Sequence, residues 1–346
     1  MSSRILRTPC QLKSHIAPLL DVAATLGAAE RPKIEALCDT LLAWETATRS
    51  DCRGGRSSLN SDGSPLQLCL SGSNSGWRGR LLGDPASLLA NPVERAHASR
   101  PALEASLSHT RSEALAPLCR ATWSLLLPAD DEGLERHVEG VIWLGGGIGT
   151  PGLAVYFDAT RGTEDERWTR VDHWLAELVH APGFARATLS TLRSSADLMC
   201  AGLEGTEPSN ARAKVYWRLR APTPLSASGI ELLSDSRMLE WLSMTLGDFA
   251  VSPIGIVFSV GFSVRTGDLL DAKIDLCCHC IPVGLDRWQA LFVRYTARFG
   301  LAPLDLRMLQ LERGTALSYV GFGLDRDRTS RINLYLRAAE NELHNV

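Results

Sequence analysis

The segment Arg212-Ala213-Lys214-Val215-Tyr216 places a guanidinium, an ammonium and a phenol at every second position. In an extended chain alternate residues share a face, so these three side chains point the same way. Arg331-Ile332-Asn333-Leu334-Tyr335 repeats the layout, Lys273 and Asp275 flank Ile274, and Tyr156 follows Ala154-Val155. Arg78 and Arg80 alternate on an earlier segment. The intervening Val215, Ile274, Ile332 and Leu334 are apolar. If helices cover those residues, the polar set faces inward. An enclosed space lined by several cations suits a polyanion, and a diphosphate is the natural candidate. In a low dielectric the same cations stabilise charge on a departing diphosphate. The tyrosine faces shield the carbon cation left behind.

These residues lie on segments that recur in one pattern: strand, Gly- or Ser-containing turn, strand. The paired segments are 65–70 with 77–82, 140–144 with 152–157, and one near 198 with 211–218. Two more follow, 255–264 with 272–277 and 317–324 with 331–336. Amphipathic stretches at 117–127, 165–179, 230–246 and 285–299 read as helices between them. Each interval is long enough for two helices. A lone hairpin is marginally stable, and closing ten strands into a barrel removes every edge. A barrel wider than about eight strands has an interior that side chains alone do not fill. The expected fold is therefore α+β: a ten-stranded antiparallel β-barrel of five ββ/αα repeats surrounded by a ring of helices. One domain is expected over 1–346, with a core at 65–337 and an N-terminal helical segment at 11–49. The Gly/Ser-rich stretch 50–64 reads as a mobile loop.

The ordered set resembles the tryptophan dimethylallyltransferases, aromatic prenyltransferases of the same barrel type, in a bacterial form. The Arg-x-Lys-x-Tyr motif of that family is matched in full by Arg212, Lys214 and Tyr216. Its Arg-x-x-x-(Glu/Asp)-Pro strand appears as Arg80 to Pro85, and its Lys-x-Tyr keeps only Tyr156. Its (Gln/Lys)-x-Tyr keeps Lys273 but has Asp275, and its last tyrosine pair falls on Arg331 and Tyr335. The resemblance spans roughly 65–336. It implies that Arg80, Arg212, Lys214, Lys273 and Arg331 hold the diphosphate, with Tyr156, Tyr216 and Tyr335 shielding the cation. It further implies metal-independent transfer of a dimethylallyl or longer prenyl group to an indole- or tryptophan-derived acceptor. Prenyl diphosphate, dimethylallyl or geranyl, is the co-substrate and no cofactor is required. Gln67 stands where the family has an acidic residue beside the indole N–H, and a neutral amide is no base at pH 7. Gln67 and Lys214 are the catalytic candidates. Ala154 removes one family lysine, and Arg331 is expected to restore that charge. Two other readings are a peptide-modifying enzyme of the same fold and a non-catalytic barrel that binds a small ligand.

The chain has 346 residues, is 45% hydrophobic and has a formal net charge of −3. That leaves no basic face for nucleic acid. No apolar run approaches the roughly 20 residues that cross a bilayer. The basic start at 1–7 lacks the apolar core of a secretory signal. Nine scattered cysteines without framework spacing read as reduced thiols, hence a cytoplasmic protein without membrane partners. Cys277-Cys278-His279-Cys280, read as strand, points its side chains apart, so no metal site is expected. Asp130-Asp131-Glu132 reads as an acidic helix start and Leu144 to Gly149 as a hairpin turn. Trp77, Trp143 and Trp217 read as core residues.

Overall fold

The structure, a computed structural model, describes residues 9–26, 29–43, 56–137, 140–247, 249–281, 283–311 and 314–339. Ten strands form one closed antiparallel barrel in the order β1-β10-β9-β8-β7-β6-β5-β4-β3-β2. They are β1 (Leu66–Ser73), β2 (Gly76–Gly83), β3 (Ile142–Gly147), β4 (Leu153–Asp158) and β5 (Ala196–Gly205). The remainder are β6 (Arg212–Leu219), β7 (Ile256–Ser263), β8 (Leu269–Cys277), β9 (Thr315–Asp325) and β10 (Ser330–Ala338). All five expected hairpins are present, and β10 pairs with β1 to leave no edge.

The helices lie outside. α1 (Pro9–Thr25) and α2 (Arg31–Leu42) precede the barrel. α3 (Pro92–His109), α4 (Ala116–Leu126) and the short α5 (Asp131–Leu134) join β2 to β3, and α6 (Glu164–Leu178) and α7 (Gly183–Leu192) join β4 to β5. Among the described residues the later connections each hold one α-helix, α8 (Ser236–Leu246) and α9 (Leu285–Phe299). The expected helix at 230–246 is divided, because a 3₁₀ turn at Glu231–Ser234 ends where Asp235 caps α8. Local chemistry fixes the starts: Thr163 and Glu166 form a capping box on α6, and Asn91 accepts from the backbone of Val93 and Glu94 on α3. Asp130 caps α5 through Gly133 N at 2.7 Å, in line with its reading as an acidic helix start.

The main core lies between barrel and helices. Val215, Ile274, Ile332 and Leu334 are fully buried there, each contributing about 1.5–3 kcal/mol over exposure. That outward packing turns the alternate, polar positions into the lumen. Two expectations about loops change. Residues 44–55 lie outside the described residues, including the end of the expected helical segment 11–49. Of the expected mobile loop, residues 57, 60 and 64 are buried, and Asn60 donates to the carbonyls of Ser64 and Leu66. The glycines expected in a turn begin earlier than the turn itself, since Gly145, Gly146 and Gly147 belong to β3.

Candidate active site

The five expected cations and three expected tyrosines all project into the lumen, where they form one connected network. Arg212 opens β6 directly opposite Glu204 on β5, and its Nη2 lies 2.6 Å from Glu204 Oε2. Its Nη1 lies 2.7 Å from Asp271 Oδ2 on β8. Lys214 Nζ is 3.1 Å and Arg331 Nη2 3.3 Å from Asp271 Oδ1. Arg80 reaches Glu204 from β2, Nη1 to Oε1 at 3.3 Å. Lys273 Nζ lies 2.5 Å from Asp275 Oδ2 and donates to the Tyr335 hydroxyl.

The tyrosines weave through this network. The Tyr156 hydroxyl donates to Glu204, and the Tyr216 hydroxyl donates to Tyr156 at 3.4 Å. Their rings meet edge to face at 5.4 Å between centroids. Lys214 Nζ lies 5.7 Å and Lys273 Nζ 5.5 Å from the Tyr216 ring, and Lys273 lies 4.9 Å from the Tyr335 ring. Tyrosine faces that already accept cations can accept another.

Burial sets the electrostatics. It would raise the Glu204 carboxyl, but Lys214, Arg212 and Arg80 outweigh it and hold that carboxyl well below its usual range. Burial acts likewise on Asp271, and Lys214, Arg331 and Arg212 depress it further than they are opposed. Burial also lowers Lys214, against the pull of Asp271 and Glu204. Burial, with Glu204 nearby, pushes Tyr156 well above its normal value, and Tyr216 and Tyr335 rise too, chiefly by burial. The phenols are therefore neutral donors. Arg80, Arg212 and Arg331 keep 33%, 31% and 22% of their side chains exposed, while Lys214 and Lys273 keep 4% and 5%. Arg212 and Arg331 stand at the hairpin-turn ends of β6 and β10. Solvent therefore reaches the lumen from that end.

Gln67 also faces inward from β1, where its Nε2 donates to Asn60 Oδ1 at 3.0 Å. Ser318, skipped where the β9–β10 register shifts, donates to the same oxygen at 3.2 Å. Trp143 departs from its expected place: it leaves the outer core for a lumen cluster with Ala154 and Tyr156, joined by Leu59 and Leu82. Trp217 stacks on Phe258 in the outer core as expected, at 5.9 Å between centroids. Arg331, expected to restore the charge lost at Ala154, is ion-paired with Asp271. Small residues there serve another end, since Gly145 and Ala154 leave the space that the Arg80 side chain crosses.

Glu204 and Asp271 were missed by sequence reasoning. The signal was the same alternation, Asp271-x-Lys273-x-Asp275, but the expected strand began one residue too late, at 272, to include Asp271. The Cys-His cluster is corrected as well. β8 ends at Cys277 and a 3₁₀ turn follows, so the ligand atoms of Cys277, His279 and Cys280 converge within 4.8 Å of one another. Cys277 Sγ lies 2.9 Å from His279 Nδ1.

No family model and no curated protein matches the chain. Solved structures do. The 5-dimethylallyltryptophan synthase from Streptomyces coelicolor superposes with TM-score 0.75 at 16% identity, over 94% of this chain and 97% of the other. The 6-dimethylallyltryptophan synthase from Micromonospora olivasterospora gives 0.74 at 14% identity, over 94% and 97%. The prenyltransferase PriB, solved with L-tryptophan and dimethylallyl thiolodiphosphate, gives 0.73 at 15%, over 94% and 96%. The chain has the fold of these aromatic prenyltransferases, a closed ten-stranded antiparallel barrel ringed by helices.

Proposed function

We propose that this protein is an aromatic prenyltransferase. It transfers a dimethylallyl or longer prenyl group from its diphosphate to an aromatic acceptor of indole or tryptophan type, without an essential metal ion. The observation that carries this reading is the convergence of Arg80, Arg212, Lys214, Lys273 and Arg331 with three tyrosines in one lumen. The fold shared with enzymes solved with a thiolodiphosphate and tryptophan supports it. The protein acts as a single catalytic unit on small molecules in the cytoplasm.

The five cations face three carboxylates, Glu204, Asp271 and Asp275, so the site keeps an excess of positive charge. The carboxylates hold the cations in place before substrate arrives, and an incoming diphosphate takes over donors from Glu204 and Asp271. Those fixed donors favour heterolysis of the allylic C–O bond, because charge develops on the leaving oxygens. Tyr156, Tyr216 and Tyr335 face the resulting cation and keep water from it. The apolar patch of Trp143, Leu59 and Leu82 offers a surface for the acceptor ring.

The test is turnover. Purified protein with EDTA receives dimethylallyl or geranyl diphosphate and a panel of tryptophan, tyrosine, indole derivatives, cyclic dipeptides and Trp peptides. Mass spectrometry should find one added prenyl unit on an indole. A non-catalytic barrel, the reading that the neutral Gln67 favours, would return both reactants unchanged.

A further inference from the structure

Electrophilic substitution must end by moving a proton off the acceptor, and Gln67 cannot take it. The barrel strands bury four carboxylates among the described residues, Asp158, Glu204, Asp271 and Asp275. Asp158 is saturated: it accepts from Thr160 N at 2.9 Å, Thr160 Oγ1 at 2.7 Å, His137 Nδ1 at 3.0 Å and Arg161 Nε at 3.1 Å. Glu204 accepts from Arg80, Arg212 and Tyr156, and Asp271 accepts from Arg212 and Lys214 and is ion-paired with Arg331. A base whose oxygens all serve cations is spent. Asp275 differs. Its Oδ2 is paired with Lys273 at 2.5 Å, but its Oδ1 is buried and has no hydrogen-bond partner among the described residues. A buried carboxylate oxygen without a donor is costly, so its retention needs a reason.

The surroundings give one. Asp275 sits in register with Gly321 on β9, and a Cβ at that glycine would overlap Asp275 Oδ1. The glycine is thus what lets the carboxylate lie there. Lys273, two residues earlier on the same face, binds Asp275 and the Tyr335 hydroxyl and lies near the Tyr216 and Tyr335 rings. Asp275 is therefore one side chain away from the tyrosines that would shield the cation. An acceptor ring close enough to be attacked there is also close to Asp275.

We propose that Asp275 is the catalytic base, the carboxylate that receives the acceptor's proton in place of the absent acid at Gln67. The inference rests on the prenyltransferase reading. The electron pair of the allylic C–O bond leaves with the diphosphate, and ring π electrons form the new bond to the prenyl carbon. The C–H or N–H electron pair then returns to the ring as the proton passes to Asp275 Oδ1, making a neutral carboxyl that later loses the proton to water.

The experiment compares wild type, Asp275→Asn, and Asp275→Asn with Gln67→Glu. Each is given dimethylallyl diphosphate, EDTA and the best acceptor of the panel above. Prenylated product, free prenyl alcohol and released diphosphate are measured, with thermal unfolding and titration of dimethylallyl thiolodiphosphate as controls for folding and binding. Loss of a positioned base costs about 10²–10⁴-fold. Asp275→Asn should lose prenylated product by about 100-fold or more, still bind the thiolodiphosphate, and still release diphosphate, with water capturing the prenyl cation to give prenyl alcohol and a proton. Adding Gln67→Glu should return part of the product. Product formation within threefold of wild type would overturn the proposal, as would equal loss of diphosphate release, which would make Asp275 only the holder of Lys273. If wild type itself forms no product, the prenyltransferase reading fails instead.

Discussion

Lys214 Nζ and Asp271 Oδ1 meet at 3.1 Å although a whole strand lies between them. Lys214 on β6 is in register with Gly261 on β7, and Gly261 with Asp271 on β8. A Cβ at Gly261 would stand 3.1 Å from Asp271 Oδ1, so only a residue without a side chain leaves the bridge comfortable room. The same device recurs at Gly323, where a Cβ would come within 2.9 Å of Arg331 Nε. Lys214, Asp271 and Arg331 stand on returning strands and Gly261 and Gly323 on the strands between, which lets these charges meet across the lumen.

Asp271→Ala leaves Lys214, Arg212 and Arg331 clustered without their shared counter-ion. Breaking a buried pair on one side costs about 3–5 kcal/mol, and partial solvation of Arg212 and Arg331 places this case near the lower value. The urea midpoint should fall accordingly. Added inorganic diphosphate should recover more stability in the variant than in wild type, because it supplies the missing negative charge.

Lys214→Ala should reduce product formation by about 10²–10³-fold, the usual loss for one preorganised donor to a developing anion. Folding should survive, since burial already disfavours the charged amine. Steady-state kinetics with circular dichroism on the same sample checks both points.

Acid should destabilise the fold through Glu204 and Asp271. Both carboxyls titrate lower in the folded chain than in the unfolded one, so the unfolded chain binds protons first as pH falls. Their contribution is complete above the unfolded values near pH 4 and is lost as pH drops through the depressed folded values. Urea midpoints taken between about pH 5 and pH 2.5 should decline, and Asp271→Asn should flatten that decline.

Trp143→Ala should raise the KM for an aromatic acceptor about three- to tenfold, the worth of one aromatic contact, with little change in thiolodiphosphate affinity. Trp143 lies in the lumen cluster against Tyr156, and its indole Nε1 has no hydrogen-bond partner among the described residues. A parallel loss of diphosphate binding would instead make it a structural support.

The barrel was legible because period-two alternation survives on every returning strand, as Arg212 to Tyr216 and Arg331 to Tyr335 show. The helix ends were legible where caps are local, as at Thr163. What composition hid was the counter-charge. Glu204 stands last but one in β5, beside Gly205, and looks like a turn residue until strand pairing sets it opposite Arg212. The place of Trp143 depended on the face that β3 turns to the lumen, which its Gly-rich sequence does not display. The convergence of Cys277, His279 and Cys280 depended on where β8 stops, and the 3₁₀ turn over Cys278–Cys280 decides it.

The central claim is that the lumen network is a diphosphate site. A crystal structure with dimethylallyl thiolodiphosphate, grown in EDTA, tests it most directly. The expected result places the phosphates among Arg80, Arg212, Lys214, Lys273 and Arg331, with Glu204 and Asp271 giving up bonds to them. A ligand bound elsewhere, with the Lys214–Asp271 and Arg212–Glu204 bridges unchanged at saturating concentration, would contradict the account.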